Sequence, residues 1–194
     1  MTFYPLLIAA YLIGSISSAI LICRALGLPD PRTQGSNNPG ATNVRRLAGN
    51  KVAALVLLCD LLKGFLPVFL ATILELSLFE ISLIGLCVFL GHIYPVFFDF
   101  KGGKGVATYV GILIACSTPV GLAFIFIWLF IAKVLKISSL SALVATAISP
   151  VYYYLFTDDV GSGAVITIIC LLIFYTHRSN IKRLINDEEN GIKS

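Results

Sequence analysis

Three stretches of the chain carry residue types that hold anions, each at a spacing suited to the task. The longest is Gln34-Gly35-Ser36-Asn37-Asn38-Pro39-Gly40-Ala41-Thr42-Asn43-Val44-Arg45-Arg46. Its Ser, Thr and Asn side chains offer neutral hydrogen-bond groups, and Arg46 offers a planar fork that matches phosphate or carboxylate. The second runs from Gly91-His92 to Asp99-Phe100-Lys101-Gly102-Gly103-Lys104-Gly105-Val106-Ala107-Thr108. Glycines let successive backbone N–H groups converge on an anion, a helix is expected just after them, and Lys104 adds a point charge. GxxxxGK[ST] is absent, so this is not a Walker A loop. The third closes the last apolar segment: His177-Arg178-Ser179-Asn180-Ile181-Lys182-Arg183-Leu184. There His177 and Asn180 share a helical face at i,i+3, and Arg178 and Arg183 can reach phosphates or lipid headgroups.

Each stretch also has a plainer reading. The first suits a linker built from turn residues, and the second a Gly-rich turn with snorkelling lysines. Positive-inside anchoring explains the Arg and Lys of the third but not its His–Asn pair. No carboxylate is placed in sequence to partner either His92 or His177, and neither a Ser-His-Asp arrangement nor the HxxxxD pattern of one large acyltransferase class is present. Cys23, Cys59, Cys87, Cys116 and Cys170 are scattered singly, with no CxxC pair. Neither a metal site nor a disulfide framework is expected. The chemistry implied is the holding of phosphate groups beside lipid, with little covalent machinery.

The elements that must position these residues are membrane spans. Of 194 residues, 58% are hydrophobic and 12% charged, against about 45–50% and 25% for soluble domains. That excludes a disordered chain, a basic nucleic-acid-binding domain and an ordinary cytosolic enzyme. The net charge of +4 is too small to argue for a polyanionic partner, so no nucleic acid is expected. Apolar stretches run over 3–23, 52–74, 81–98, 105–132, 137–157 and 160–176. The first has no preceding Lys or Arg and no small-residue cleavage site, and reads as a retained span.

Between the spans, Arg24, Arg32, Arg45, Arg46 and Lys51 face one Asp30, and Lys101 and Lys104 face Asp99. Lys133 and Lys136 flank another break, and Arg178, Lys182, Arg183 and Lys193 fill the tail. Glu75 with Glu80, and Asp158 with Asp159, mark connections free of Lys and Arg. The positive-inside rule then places the N-terminus outside and the C-terminus in the cytoplasm. An odd number of spans follows, so 105–132 must cross twice, turning near Ser117-Thr118-Pro119. Each half has only about 14 residues, short for a hydrocarbon core of about 30 Å. One long tilted helix, giving six spans, is the alternative. The expected architecture is one all-α polytopic membrane domain over 1–194 with seven transmembrane helices. In it 24–51 is a cytoplasmic polar loop and 177–194 a cytoplasmic tail.

Asp60 and Lys63 stand inside the second span at i,i+3 and can pair on one helical face. Ionisable groups within a span usually face a bundle interior or a polar cavity. The pair is either a structural fastener or part of a site.

Taken in order, these residues resemble the bacterial membrane glycerol-3-phosphate acyltransferases that use acyl phosphate, the PlsY family. The likeness covers essentially the whole chain. It includes Gly14-Ser15-Ile16-Ser17-Ser18-Ala19, Pro29-Asp30-Pro31-Arg32-Thr33, 35–43, Asp60-Leu61-Leu62-Lys63-Gly64, Gly91-His92, 100–108, and His177 with Asn180-Ile181 and Arg183-Leu184. The resemblance implies a seven-span inner-membrane enzyme with an outside N-terminus and an active site at the cytoplasmic face. It implies acyl transfer from acyl phosphate to the sn-1 hydroxyl of glycerol 3-phosphate, giving lysophosphatidate and phosphate, the first acylation of phospholipid synthesis. No cofactor is implied; membrane lipid and functional coupling to the enzyme that makes acyl phosphate are.

Carried over by motif, Ser36 and Arg46 are catalytic, with Asn38, Gly40, Thr42 and Asn43 binding around them. Gly102, Gly103 and Lys104 form the phosphate-binding glycine motif, with Lys104 catalytic, and His177 and Asn180 complete the catalytic set. Asn37 departs from the pattern, where Gly is common. Whether His177 or a substrate phosphate takes the hydroxyl proton stays open.

Overall fold

The computed structural model describes residues 3–192; Lys193 of the basic tail lies outside them. The described chain is helical. Helices α1 (Phe3–Gly14) and α2 (Ser18–Ala25) lead through a turn-rich connection to α3 (Ala41–Ile73) and α4 (Leu78–Ile93). A single 3-10 turn (Val96–Phe98) precedes α5 (Val106–Cys116), α6 (Thr118–Leu135), α7 (Ser138–Thr157), α8 (Val160–Thr176) and α9 (Arg178–Ile185).

Local sequence sets the boundaries. Ser77 and Glu80 form a reciprocal capping box at the start of α4, and the Asp159 side chain accepts from Ser162 N at the start of α8. The apolar stretch 105–132 divides at Ser117, whose backbone is extended, and Pro119 sits in the first turn of α6. Residues 41–51, which read as part of a polar connection, are helical, and the break comes at Gly49, with φ 81°. That left-handed conformation suits glycine, which has no Cβ to clash.

Among the described residues four helices are long and apolar enough to cross a bilayer, and up to six spans result if the bent pairs α1–α2 and α8–α9 each count as one. The eleven residues of α5 reach only about 16 Å. Large apolar side chains point outward, among them Phe126 at 71% exposure and Leu155 at 74%. Outside a bilayer such a surface would aggregate, and within one it faces lipid. Phe89, Tyr109, Ile112, Phe124, Ile166 and Ile169 fill the core.

Small residues set the closest helix crossings. A Cβ on Gly64 would strike the Thr108 carbonyl, and one on Gly111 would strike the Leu61 carbonyl. These reciprocal glycines let α3 and α5 approach backbone to backbone. Packed so closely, α3 brings Asp60 and Lys63 beside the start of α5.

Candidate active site

The three polar stretches meet around one cavity of about 1060 Å³. Ser36, Asn38, Gly40, Thr42, Asn43 and Arg46 line it from the first stretch, Lys104 and Gly105 from the second, and His177, Asn180 and Arg183 from the third. Gly102 and Gly103 are not in its lining. They lie behind Lys104, packed against His92.

Asn43 shows why the first stretch folds as it does. Its buried amide donates to Pro31 O and Gln34 O, both at 2.9 Å, and accepts from Ser36 N at 2.9 Å. With both N–H groups and the oxygen committed, Asn43 ties the loop into a fixed shape that presents Ser36. Arg32 adds a second tie. Its guanidinium bridges both Asp30 oxygens and donates to Phe98 O at 3.2 Å, joining this loop to the turn after α4. Ser36, Thr42 and Arg46 are exposed at the cavity mouth, while His177 and Asn180 are buried.

His177 follows the last residue of α8, and its Nδ1 lies 2.8 Å from Ile173 O. A carbonyl can only accept, so Nδ1 carries the hydrogen and Nε2 is left as an acceptor. Lys104 Nζ donates to Asn180 Oδ1, and Thr176 Oγ1 donates to Lys104 O at 3.2 Å. These bonds hold the glycine loop against the junction of α8 and α9.

Two carboxylates stand here that sequence alone did not place. Glu189 Oε1 accepts from Asn180 Nδ2 at 2.6 Å and Ser139 Oγ at 2.7 Å, and Oε2 accepts from Arg183 Nε at 2.6 Å. Burial works to raise its carboxyl, and the bonds from Ser139, Asn180 and Arg183 outweigh that and leave it below the usual range. The run Asp187-Glu188-Glu189 was visible in sequence, but nothing there said which acid turns inward. The second is Asp60, whose Oδ1 lies 3.9 Å from His92 Nδ1. The expectation that no carboxylate stands near either histidine is thereby corrected. Packing of α3 beside α4 brings the two together across 32 positions of chain.

Lys104 is the half-buried cation on the glycine loop of the site. Burial is the main cause that lowers its ammonium, helped by Arg183 and Arg46 and opposed by Glu189, to about 8. Anion binding therefore weakens as pH rises through about 8, since above it the folded ammonium loses its proton. Stability runs the other way: between about 8 and its ordinary 10.5 the unfolded chain holds a proton that the folded one lacks, so raising pH there favours folding. Titrating inorganic phosphate against the protein between about pH 7.5 and 9.5 checks the binding half, with affinity expected to fall steadily.

Below its polar rim the cavity turns apolar, lined by Leu57 and Leu61 of α3, Val106 and Val110 of α5, and Trp128 and Leu129 of α6. Helix α5 packs against both α3 and α6, while α3 and α6 share almost no contact. The cavity therefore has α5 as its back wall, with exposed Leu57 and Leu129 at its sides. A charged headgroup at one end and a hydrocarbon chain at the other would both be accommodated.

The sequence profile described as Glycerol-3-phosphate acyltransferase matches residues 4–187. A glycerol-3-phosphate acyltransferase of Ruthia magnifica subsp. Calyptogena magnifica is 58% identical over 190 residues, covering 98% of this chain and 96% of that one. One of Hydrogenovibrio crunogenus is 55% identical, covering 95% and 88%. A crystal structure of PlsY, an integral membrane glycerol 3-phosphate acyltransferase in its glycerol 3-phosphate form, superposes with a TM-score of 0.95. It is 38% identical and covers 100% of this chain and 96% of that one. The lysophosphatidic acid form gives a TM-score of 0.92 at the same identity, covering 98% and 95%. With the profile matched almost end to end and relatives this similar, the chain belongs to the glycerol-3-phosphate acyltransferase family of integral membrane proteins.

Proposed function

We propose that this protein transfers an acyl group from acyl phosphate to the sn-1 hydroxyl of glycerol 3-phosphate, releasing lysophosphatidate and inorganic phosphate. The observation that carries this reading is the single cavity with cationic side chains at one end and an apolar slot beside lipid at the other. The solved relative in its glycerol 3-phosphate form supports the acceptor.

The chemistry asks for positioning more than for covalent machinery. Acyl phosphate is a mixed anhydride, so its carbonyl is already activated. The acceptor oxygen attacks that carbon, the carbon–oxygen bond to phosphate breaks, and phosphate leaves with the electron pair. Holding both substrates in one cavity supplies proximity. Cationic donors offset repulsion between two phosphates and stabilise charge as it develops.

Lys104 grips the donor phosphate from the glycine loop, with Gly102 and Gly103 shaping that loop. Arg46, Ser36, His177 and Asn180 orient glycerol 3-phosphate, and Asn38, Gly40, Thr42 and Asn43 form the wall around them. The hydroxyl proton passes to a phosphate oxygen of substrate, and His177 serves to orient glycerol 3-phosphate. His177→Gln keeps an acceptor on that side and is expected to retain turnover within about tenfold, whereas loss of a general base would cost about 10²–10⁴-fold. Single-turnover kinetics on the variant separates the two.

On this reading the chain crosses the bacterial inner membrane seven times, through α1–α2, α3, α4, α5, α6, α7 and α8. The N-terminus is outside, and residues 24–51 and 177–194 lie at the cytoplasmic face with the active site. The antiparallel packing of α5 on α6, with Gly121 against Ile114, supports counting α5 as a crossing. Acyl phosphate is reactive, which favours coupling to the enzyme that makes it.

The test is phosphate release by purified protein supplied with acyl phosphate, with and without glycerol 3-phosphate, and with acyl-CoA in parallel. Release that requires the acceptor and yields lysophosphatidate is expected. Use of acyl-CoA in its place would overturn the donor assignment, and release without acceptor would indicate hydrolysis.

A further inference from the structure

Set into the wall of the cavity is a group of buried polar side chains to which the transfer gives no part: Asp60 and His92 line it, and Lys63 and Thr108 stand behind them. Lys63 Nζ donates to Ile16 O at 2.7 Å, in the break between α1 and α2, and pairs with Asp60 Oδ1 at 3.0 Å. Asp60 Oδ1 in turn faces His92 Nδ1 at 3.9 Å, and that same ring nitrogen lies 3.1 Å from Thr108 Oγ1. Thr108 of α5 thus fixes the His92 ring by a hydrogen bond, while Asp60 of α3 stands beside it beyond hydrogen-bond reach.

What the ring supports is the glycine loop. Gly103 N donates to His92 O at 3.3 Å. A Cβ on Gly102 would strike that same carbonyl, and one on Gly103 would come within 2.5 Å of His92 Nε2. The imidazole therefore fills the space that a side chain at position 103 would need, one residue before Lys104. A loop with no side chains of its own at two positions takes its shape from what it rests on.

We propose that His92, oriented by Thr108, is a positioning residue that sets the glycine loop and through it the Lys104 ammonium. The inference rests on the proposed phosphate-holding role of Lys104. His92 touches no reacting atom. A buried ring hydrogen-bonded to the Thr108 hydroxyl does not rotate freely, and an error of about 1 Å in a binding cation is enough to cost affinity.

Thr108→Val removes the hydroxyl at constant shape, Thr108→Ser keeps it, and His92→Gln changes the support itself. The first readout is the dissociation constant for inorganic phosphate, from ligand-dependent thermal shifts of the full-length protein. The second is kcat/KM for acyl transfer. Thr108→Val and His92→Gln are expected to weaken phosphate binding about tenfold, while Thr108→Ser stays near wild type. Adding Thr108→Val to Lys104→Ala should lower kcat/KM no further, because both act through one ammonium.

A merely structural role would lower Tm, leave phosphate affinity unchanged and multiply with Lys104→Ala, and would overturn the inference. So would a wild type that binds no phosphate. If the wild type binds phosphate and loses it in both variants but transfers no acyl group, the proposed reaction fails and the positioning role stands. Should His92→Gln not fold, the isosteric Thr108→Val decides the matter alone.

Discussion

Lys104→Ala is expected to lower turnover by about 10²–10³-fold, the usual cost of removing one preorganised donor from developing negative charge. Lys104 is half-buried on the glycine loop, bonded to Asn180 and lining the cavity beside Arg183 and His177. Its charge therefore acts where water screens it least. Arg46, by contrast, is exposed at the mouth, and its loss should weaken binding more than it slows chemistry. Steady-state kcat and KM for both substrates on Lys104→Ala test this, with folding checked by Tm. Turnover within about threefold of wild type would remove Lys104 from the reaction, since effects that small lie far below the loss of such a donor.

The second large effect is on stability. Lys63→Ala removes the partner of Asp60 and the donor to Ile16 O, both inside the helix bundle. Breaking one half of a buried ion pair costs about 3–5 kcal/mol, because the remaining charge is left uncompensated. At this depth no bulk water can take over its solvation. A marked fall in Tm is expected, and the double change Asp60→Asn with Lys63→Met should recover much of it by removing the stranded charge. A Lys63→Ala protein as stable as wild type would show that the pair does not hold the α1–α2 break.

Composition and charge order were enough to read the membrane class, because a bilayer demands long apolar runs and sorts Lys and Arg to one side of them. The i,i+3 pairing of Asp60 with Lys63 and the shared face of His177 and Asn180 were equally legible, since helical spacing is a local property. So was the division of 105–132 at Ser117, where a proline breaks the run. Each of the three polar stretches offered anion-holding groups, beside a plainer reading as linker, turn or membrane anchor. Their order along the chain carried the family resemblance.

Tertiary packing decided the rest. Residues 41–51 fold as helix on both sides of a break at Gly49, and the turns before that break carry Arg46 to the cavity mouth. Gly102 and Gly103 sit behind the lysine and against His92, a contact that depends on where α4 ends relative to α5. Glu189 joins Asn180, Arg183 and Ser139 only when the tail folds back, so no spacing rule could single it out from Asp187 and Glu188. The apolar slot exists because α5 is short and keeps α3 and α6 apart. Periodicity and charge are written residue by residue, whereas a cavity is made of distances between helices that are far apart in the chain.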